Sequence, residues 1–336
     1  MAKAKKKGLH GLDLDVEQIR TMYYYMVLSR ELDKRIWILN RQGKSAFVIS
    51  GQGQEGVQVA AAMALHPETD WIAPYYRDMA MVMAFGMTPR EVMLGQMGRA
   101  ADPSSGGRQM PAHYGHQPKH ILTGSSPVAT QVVHAVGIAW SMKLQGQAGV
   151  ALTSLGEGST NQGEFHEALN FAAVHKVPLI VLVENNGYAI SVPQEKEMAI
   201  QDVAVRAQGY GIPGVVVKGS DPLEVYQVIR EARSRALRGE GTTLVEAKTH
   251  RFTAHSSDDD DRSYRSREHL EEEKKDDPIP RMREWMESEK LWDKDAEDAL
   301  MKRIKHEVDD ATEFAEASPL PAAETIYDHV YGSSPA

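Results

Sequence analysis

One run constrains the chain more than any other: Val150 to Thr160, then on to Val183-Glu184-Asn185-Asn186-Gly187-Tyr188. Residues 149–155 are apolar, bounded by glycine and too short for a helix, so a buried strand is expected there. Gly156-Glu157-Gly158-Ser159-Thr160 follows, then a helical pattern from Gly163 to Lys176. A second apolar stretch over 178–183 runs straight into Asn185-Asn186-Gly187. Strand, helix, strand implies parallel neighbours whose carboxyl ends lie side by side. Open α/β sheets bind their ligands at such ends.

Both tips carry hard oxygen ligands. Gly156 and Gly158 allow a tight turn, and the amides after them, Ser159 included, can face an anion at a helix start. Glu157 supplies a carboxylate, Asn186 an amide oxygen, and the backbone beyond Gly187, at Tyr188, a carbonyl. That set suits Mg²⁺, which keeps some waters and takes further oxygens from a substrate phosphate. Gly-Glu-Gly alone is an ordinary turn, and so is Asn-Asn-Gly. Their pairing at adjacent strand ends points to a Mg²⁺-diphosphate site.

Gly156-Glu157-Gly158 followed about thirty residues later by Asn185-Asn186 resembles the thiamin-diphosphate motif. The intervening Asn161-Gln-Gly-Glu-Phe-His-Glu-Ala-Leu-Asn-Phe-Ala-Ala and the trailing Gly187-Tyr-Ala-Ile-Ser191 narrow the likeness. They resemble the α subunit of the 2-oxo acid dehydrogenases (decarboxylase component), branched-chain type, over roughly residues 20–330. The resemblance implies the thiamin-diphosphate-binding fold, an α/β domain with a mainly parallel sheet and helices on both faces. It implies decarboxylation of a 2-oxo acid and passage of the acyl group to a lipoyl group on an acyltransferase. The pyruvate or acetoin version of the enzyme is the alternative within the family.

Residue by residue, the resemblance implies that Tyr76 and Arg77 contact the cofactor diphosphate, a role to which a guanidinium fork is suited. Arg251 would bind diphosphate too, and His255 would act as a catalytic acid or positioning group on a loop over the mouth of the site. Ser126 and the Val128 backbone would meet the aminopyrimidine. Ser125, Pro127, Thr130 and Gln131 would form a monovalent-cation site for K⁺. Phe47 matches a position lining the acyl pocket, and His113 one facing the substrate. The ring half of the cofactor also needs a carboxylate, and no acidic residue stands in a matching motif. The family places that glutamate on a separate β subunit, so an α₂β₂ assembly is expected; the alternative is a homodimer using a glutamate of this chain such as Glu55.

A rival class comes from Gly51-Gln-Gly53-Gln-Glu-Gly56, which matches G-x-G-x-x-G. Residues 45–50 could be a strand, 57–65 a helix, and Asp70 the ribose-binding acid of a nicotinamide or flavin oxidoreductase. Against it, the region before Gly51 is weakly strand-like and Asp70 does not end a strand.

Elsewhere, residues 15–42 are expected to form a long helix, 79–98 two short ones, and 99–124 an irregular stretch. His113, His116 and His120 lack acidic or thiol partners nearby and so make a poor metal cluster. Ser125-Ser126-Pro127 reads as an N-cap and first turn of a helix to Lys143. Further on come a helix over 202–210, a strand over 214–218, a helix capped by Asp221-Pro222, and a strand over 243–247. The layout expected is a basic tail over 1–14, an α/β domain over 15–277, and a helical C-terminal extension of that domain over 278–336.

The chain has 336 residues, 42% hydrophobic and 25% charged, with net charge −9 and no cysteine. Cysteine chemistry and disulfides are excluded. The negative charge argues against nucleic acid, and no apolar run reaches the length of a membrane span. The basic start has no apolar region after it, unlike a secretory signal. A cytoplasmic protein is expected.

Overall fold

The computed structural model describes residues 12–328, Val330 and Gly332; most of the expected basic tail lies outside them. Five strands form one parallel sheet in the order β1 (Trp71–Ala73), β2 (Ala151–Gly156), β3 (Leu179–Asn185), β7 (Thr243–Lys248), β6 (Gly214–Lys218). A separate two-stranded hairpin, β4 (Tyr188–Ala189) and β5 (Val192–Pro193), follows β3. The helices are α1 (Val16–Arg41), α2 (Glu55–Met63), α3 (Met79–Ala84), α4 (Pro89–Gln96), α5 (Thr130–Leu144) and α6 (Gly163–Val174). After them come the one-turn pieces α7 (Gln194–Glu197) and α8 (Ala207–Tyr210), then α9 (Pro222–Leu237), α10 (Arg267–Glu273), α11 (Pro278–Ser288) and α12 (Lys294–Ala317).

The central strand β3 reads as an apolar run because both faces of the sheet are covered there. Along β3, Ile180 and Leu182 join one apolar cluster with α1–α4, α9, α11 and α12. Leu179, Val181 and Val183 join the other, with α5, α6 and α8. Met286, Ile304 and Val308 of the C-terminal helices sit in the same cluster as α1. Caps set the helix starts: Asp221 caps α9 as expected, Asp15 and Gln18 form a capping box on α1, and Asp277 caps α11. Among the described residues no helix is long and apolar enough to cross a membrane.

The rival class is removed, and one expectation is corrected. Residues 45–50 form no strand, and Asp70 is buried at the opposite end of the sheet from the strand carboxyl ends. There it pairs with Arg233 at 2.6 Å and accepts from the Val150 amide at 3.0 Å. The Gly51-Gly53-Gly56 stretch is therefore no dinucleotide fingerprint: no strand leads into it, and its acid is consumed elsewhere. The helix after Pro127 starts only at Thr130, with Ala129 at its N-cap in the left-handed region (φ 71°) and no side-chain cap. Ser126 is not a cap because its hydroxyl is held by His113 Nε2 at 2.7 Å.

Candidate active site

Parallel pairing places Gly156 opposite Glu184 and Asn185 opposite Lys248, so the ends of β2, β3 and β7 lie abreast. The loop after β1 joins them. A cleft of about 210 Å³ opens there, lined by Tyr75, Tyr76, Arg77, Val128, Gly156, Glu157, Gly158, Ser159, Asn186, Tyr188 and His255 among others. Tyr76, Arg77, Val128, the Gly-Glu-Gly turn with Ser159, Asn186, Tyr188 and His255 thus converge from five loops.

The two asparagines divide their labour. Asn185 is fully engaged: its amide donates to Gln194 at 3.0 Å and Glu246 at 2.7 Å, and its oxygen accepts from Gly187 N at 3.0 Å. Asn186 Oδ1 is buried with no partner. Glu157 turns Oε2 to the Asn186 amide at 3.1 Å and leaves Oε1 buried and unpartnered. Burial pushes the Glu157 carboxyl up. Buried polar atoms are nearly always paired, so two orphaned oxygens in one cleft mark a place for a cation. Among the described residues no group of three or more His, Cys, Asp or Glu could hold a metal. A single carboxylate with amide and carbonyl oxygens suits a Mg²⁺ that draws its remaining ligands from phosphate and water.

Opposite these oxygens lies positive charge. Arg77 and Arg251 are 2% and 1% exposed, and among the described residues neither forms an ion pair. Arg77 spends its donors on the Ser50 carbonyl at 2.8 Å and on His255, at Nδ1 (2.8 Å) and the carbonyl (3.1 Å). Arg251 donates to the Ile190 carbonyl at 2.8 Å and the Tyr264 hydroxyl at 2.9 Å, while its Nε and Nη1 are buried without partners. Burial, then the charge of Arg77, lowers the Arg251 pKa. A buried guanidinium with free donors fits a diphosphate.

His255 sits between the two. A guanidinium can only donate, so Nδ1 accepts from Arg77 and the ring proton stands on Nε2. Burial, Arg77 and Arg251 together push the His255 pKa down to about 4. Its backbone amide is fixed by Asp259 at 2.8 Å, and Tyr264 also donates to Asp259, at 2.5 Å. In this geometry the ring is a neutral hydrogen-bond donor through Nε2, the form suited to positioning a group.

Other candidates lie outside the cleft lining. Phe47 and His113 do not face it, and the Phe47 carbonyl accepts from Gln96 at 2.6 Å. Ser126 and Pro127 are exposed. Of Ser125, Pro127, Thr130 and Gln131, only Gln131 has a buried unpartnered oxygen; its amide donates to the Ser154 carbonyl at 2.9 Å. Glu55 is spent on Arg30 and the Gly53 amide, so it is not a free carboxylate for a ring. Glu197 was not foreseen. Burial and the charge of Glu157 push it up to about 7, and it comes close to Glu157 only because α7 folds back across Gly158. Asp259 and Tyr264 were visible as loop residues, but nothing local signalled their link to Arg251.

With this geometry in place, the chain is assigned to a class: residues 23–324 match the Dehydrogenase E1 component family, and the chain belongs to it. Among individual relatives it is similar to the 2-oxoisovalerate dehydrogenase subunit alpha of Bacillus subtilis, 52% identical over 96% of this chain and 97% of that one. It is 39% identical to the 3-methyl-2-oxobutanoate dehydrogenase subunit alpha of Mycobacterium tuberculosis, over 88% of this chain and 77% of the relative. The pyruvate dehydrogenase E1 component subunit alpha of Staphylococcus aureus is 36% identical over 96% of this chain and 85% of that protein. Membership implies thiamin diphosphate as cofactor and a complex with a β subunit and an acyltransferase.

Proposed function

We propose that this chain is the diphosphate-binding α subunit of a thiamin-diphosphate-dependent dehydrogenase that decarboxylates branched-chain 2-oxo acids and passes the acyl group to a lipoyl group. The observation that carries the reading is one cleft in which Glu157 Oε1 and Asn186 Oδ1 stand buried and unpaired, while Arg251, just outside the lining, bonds to Ile190 of that lining and acts by its charge on Glu157. Glu157, Asn186 and the Tyr188 carbonyl would hold Mg²⁺. Tyr76, Arg77, Ser159 and Arg251 would receive the diphosphate, with Gly156 and Gly158 keeping the turn open to it. Val128 and Ser126 would face the aminopyrimidine, and Gln131 with Ser125, Pro127 and Thr130 would take a monovalent cation such as K⁺. Thiamin diphosphate, when bound, supplies the electron sink for decarboxylation. The chain's own part is to fix the cofactor's charged end and to aim the His255 Nε2–H at the reacting side. Because Glu55 is engaged with Arg30, the carboxylate for the ring half would come from a β subunit, in an α₂β₂ assembly.

The branched-chain assignment follows the relatives, which at 52% and 39% identity carry branched-chain names and at 36% a pyruvate name. A calorimetric titration of the assembly with thiamin diphosphate, with and without Mg²⁺, and with NAD tests the reading. Mg²⁺-dependent binding of thiamin diphosphate and none of NAD is expected; the reverse pattern would sink it.

A further inference from the structure

Residues 48–54 belong to no strand and lead into α2; none of them lines the cleft. Yet the cleft's cationic groups hang from this segment. Arg77 donates to the Ser50 carbonyl at 2.8 Å, and a Cβ on Gly51 would stand 2.8 Å from the Arg77 carbonyl oxygen. The loop that bears Arg251 and His255 is stitched along the same segment. Ser257 N donates to the Val48 carbonyl at 2.8 Å, Phe252 N to Gln52 at 3.1 Å, and the Thr249 hydroxyl to Gly53 at 3.0 Å. The glycines that imitate a nucleotide fingerprint are there for close approach: Gly53, at φ 98°, would place a Cβ 2.5 Å from the His250 carbonyl oxygen.

One side chain fixes the segment from behind. Asp33, on the inward face of α1 and 3% exposed, accepts the Ser50 hydroxyl at 2.8 Å and the Gly51 amide at 2.9 Å on Oδ2. Its Oδ1 accepts from Gln52 Nε2 at 3.2 Å. Among the described residues it has no ion-pair partner, and burial pushes its pKa up to about 6 against these three hydrogen bonds. A carboxylate kept in a core without a counter-charge is costly, and here its two oxygens are given wholly to the turn of residues 50–52.

We propose that Asp33 is a positioning residue: by holding Ser50 and Gly51 it sets the carbonyl that orients Arg77, and through Arg77 Nη2 the tautomer and aim of His255. This rests on the reading of the cleft as a diphosphate site. Groups one step removed from a site's ligands commonly alter affinity about 10–100-fold when removed.

The test is thiamin diphosphate affinity of the α–β assembly at saturating Mg²⁺, measured calorimetrically for Asp33→Ala, Asp33→Asn, Arg77→Ala and the Asp33→Ala/Arg77→Ala double variant. Asp33→Ala should bind about tenfold more weakly. Asp33→Asn should stay within about threefold of wild type, because its oxygen still accepts and the Gln52 amide can turn to meet the new donor. In the Arg77→Ala background, Asp33→Ala should cost nothing further, since the two act in series. Should Asp33→Ala not fold, Gly51→Ala displaces the same joint and should show the same loss in wild type and none beside Arg77→Ala. Weakened binding in Arg77→Ala with wild-type affinity in Asp33→Ala, or losses that multiply in the double variant, would overturn the inference. Unchanged binding in Arg77→Ala would instead overturn the diphosphate reading beneath it.

Discussion

Replacing Glu157 by glutamine should move stability and metal binding in opposite directions. Glu157 is 1% exposed, with one carboxylate oxygen on the Asn186 amide and the other unpartnered. Burial raises its folded pKa. A carboxyl raised in this way supports the fold below its unfolded value of about 4.3, and that support is lost as pH rises through the folded value. At neutral pH the ionised group is therefore a cost to the metal-free chain. Glutamine keeps the acceptor for Asn186 N and removes the charge. An unsatisfied buried polar group costs about 1–3 kcal/mol, so metal-free Glu157→Gln should be as stable as wild type or more so, by up to that amount. Each kcal/mol moves the melting midpoint by about 2–4 °C in units of 150–250 residues. Mg²⁺ and thiamin diphosphate at a hundred times Kd should add about 2.7 kcal/mol to wild type and little to the variant. Thermal melts at pH 5.5 and 7, with and without both ligands, give all the comparisons. A variant that keeps the Mg²⁺-dependent rise, or that melts far below wild type without ligands, would refute the assignment.

His255→Gln should lower acyl transfer to lipoyl far more than thermal stability. Because burial and two arginines depress the His255 pKa to about 4, this histidine should weaken the ligand-free fold as pH falls from its unfolded value of about 6.5 towards 4; the variant should lack that component in acid melts. Glu184 and Asp78 are both fully buried, and burial with mutual repulsion raises the Glu184 pKa, so the support their shared proton gives the fold fades as pH rises. Glu184→Gln should flatten that alkaline decline, and an unchanged slope in urea titrations at pH 6 to 9 would count against the shared proton. With its partner, the enzyme should favour branched 2-oxo acids over pyruvate by the modest margin that a methylene allows, about 1–3 kcal/mol. A higher specificity constant for pyruvate would overturn the branched-chain assignment.

The central strand–helix–strand unit was legible because a sheet covered on both faces writes unbroken apolar runs, and because glycines and asparagines mark where those runs must turn. Asp221-Pro222 gave the start of α9 for a similarly local reason. The family likeness found over residues 20–330 agrees with the match over 23–324. What was not legible depends on distance along the chain. Arg77 and His255 are 178 residues apart, so the bond that neutralises the imidazole leaves no local mark. The choice of Asn186 over Asn185 is made by Glu246 and Gln194, which occupy the first asparagine. The G-x-G-x-x-G match has another cause: close backbone approach to a neighbouring loop demands glycine as surely as approach to a pyrophosphate does. Ser126 looked like a cap because its true partner, His113, comes from the irregular stretch.

The most direct test of the central claim is CO₂ release from 3-methyl-2-oxobutanoate by the purified chain, with Mg²⁺ and thiamin diphosphate, alone and after reconstitution with a β subunit. On the proposed reading the cleft takes the diphosphate half of the cofactor and, among the described residues, offers no free carboxylate for the ring half, so turnover should appear only in the reconstituted sample and vanish when thiamin diphosphate is left out. Comparable turnover by the chain alone, or turnover indifferent to thiamin diphosphate, would contradict the claim.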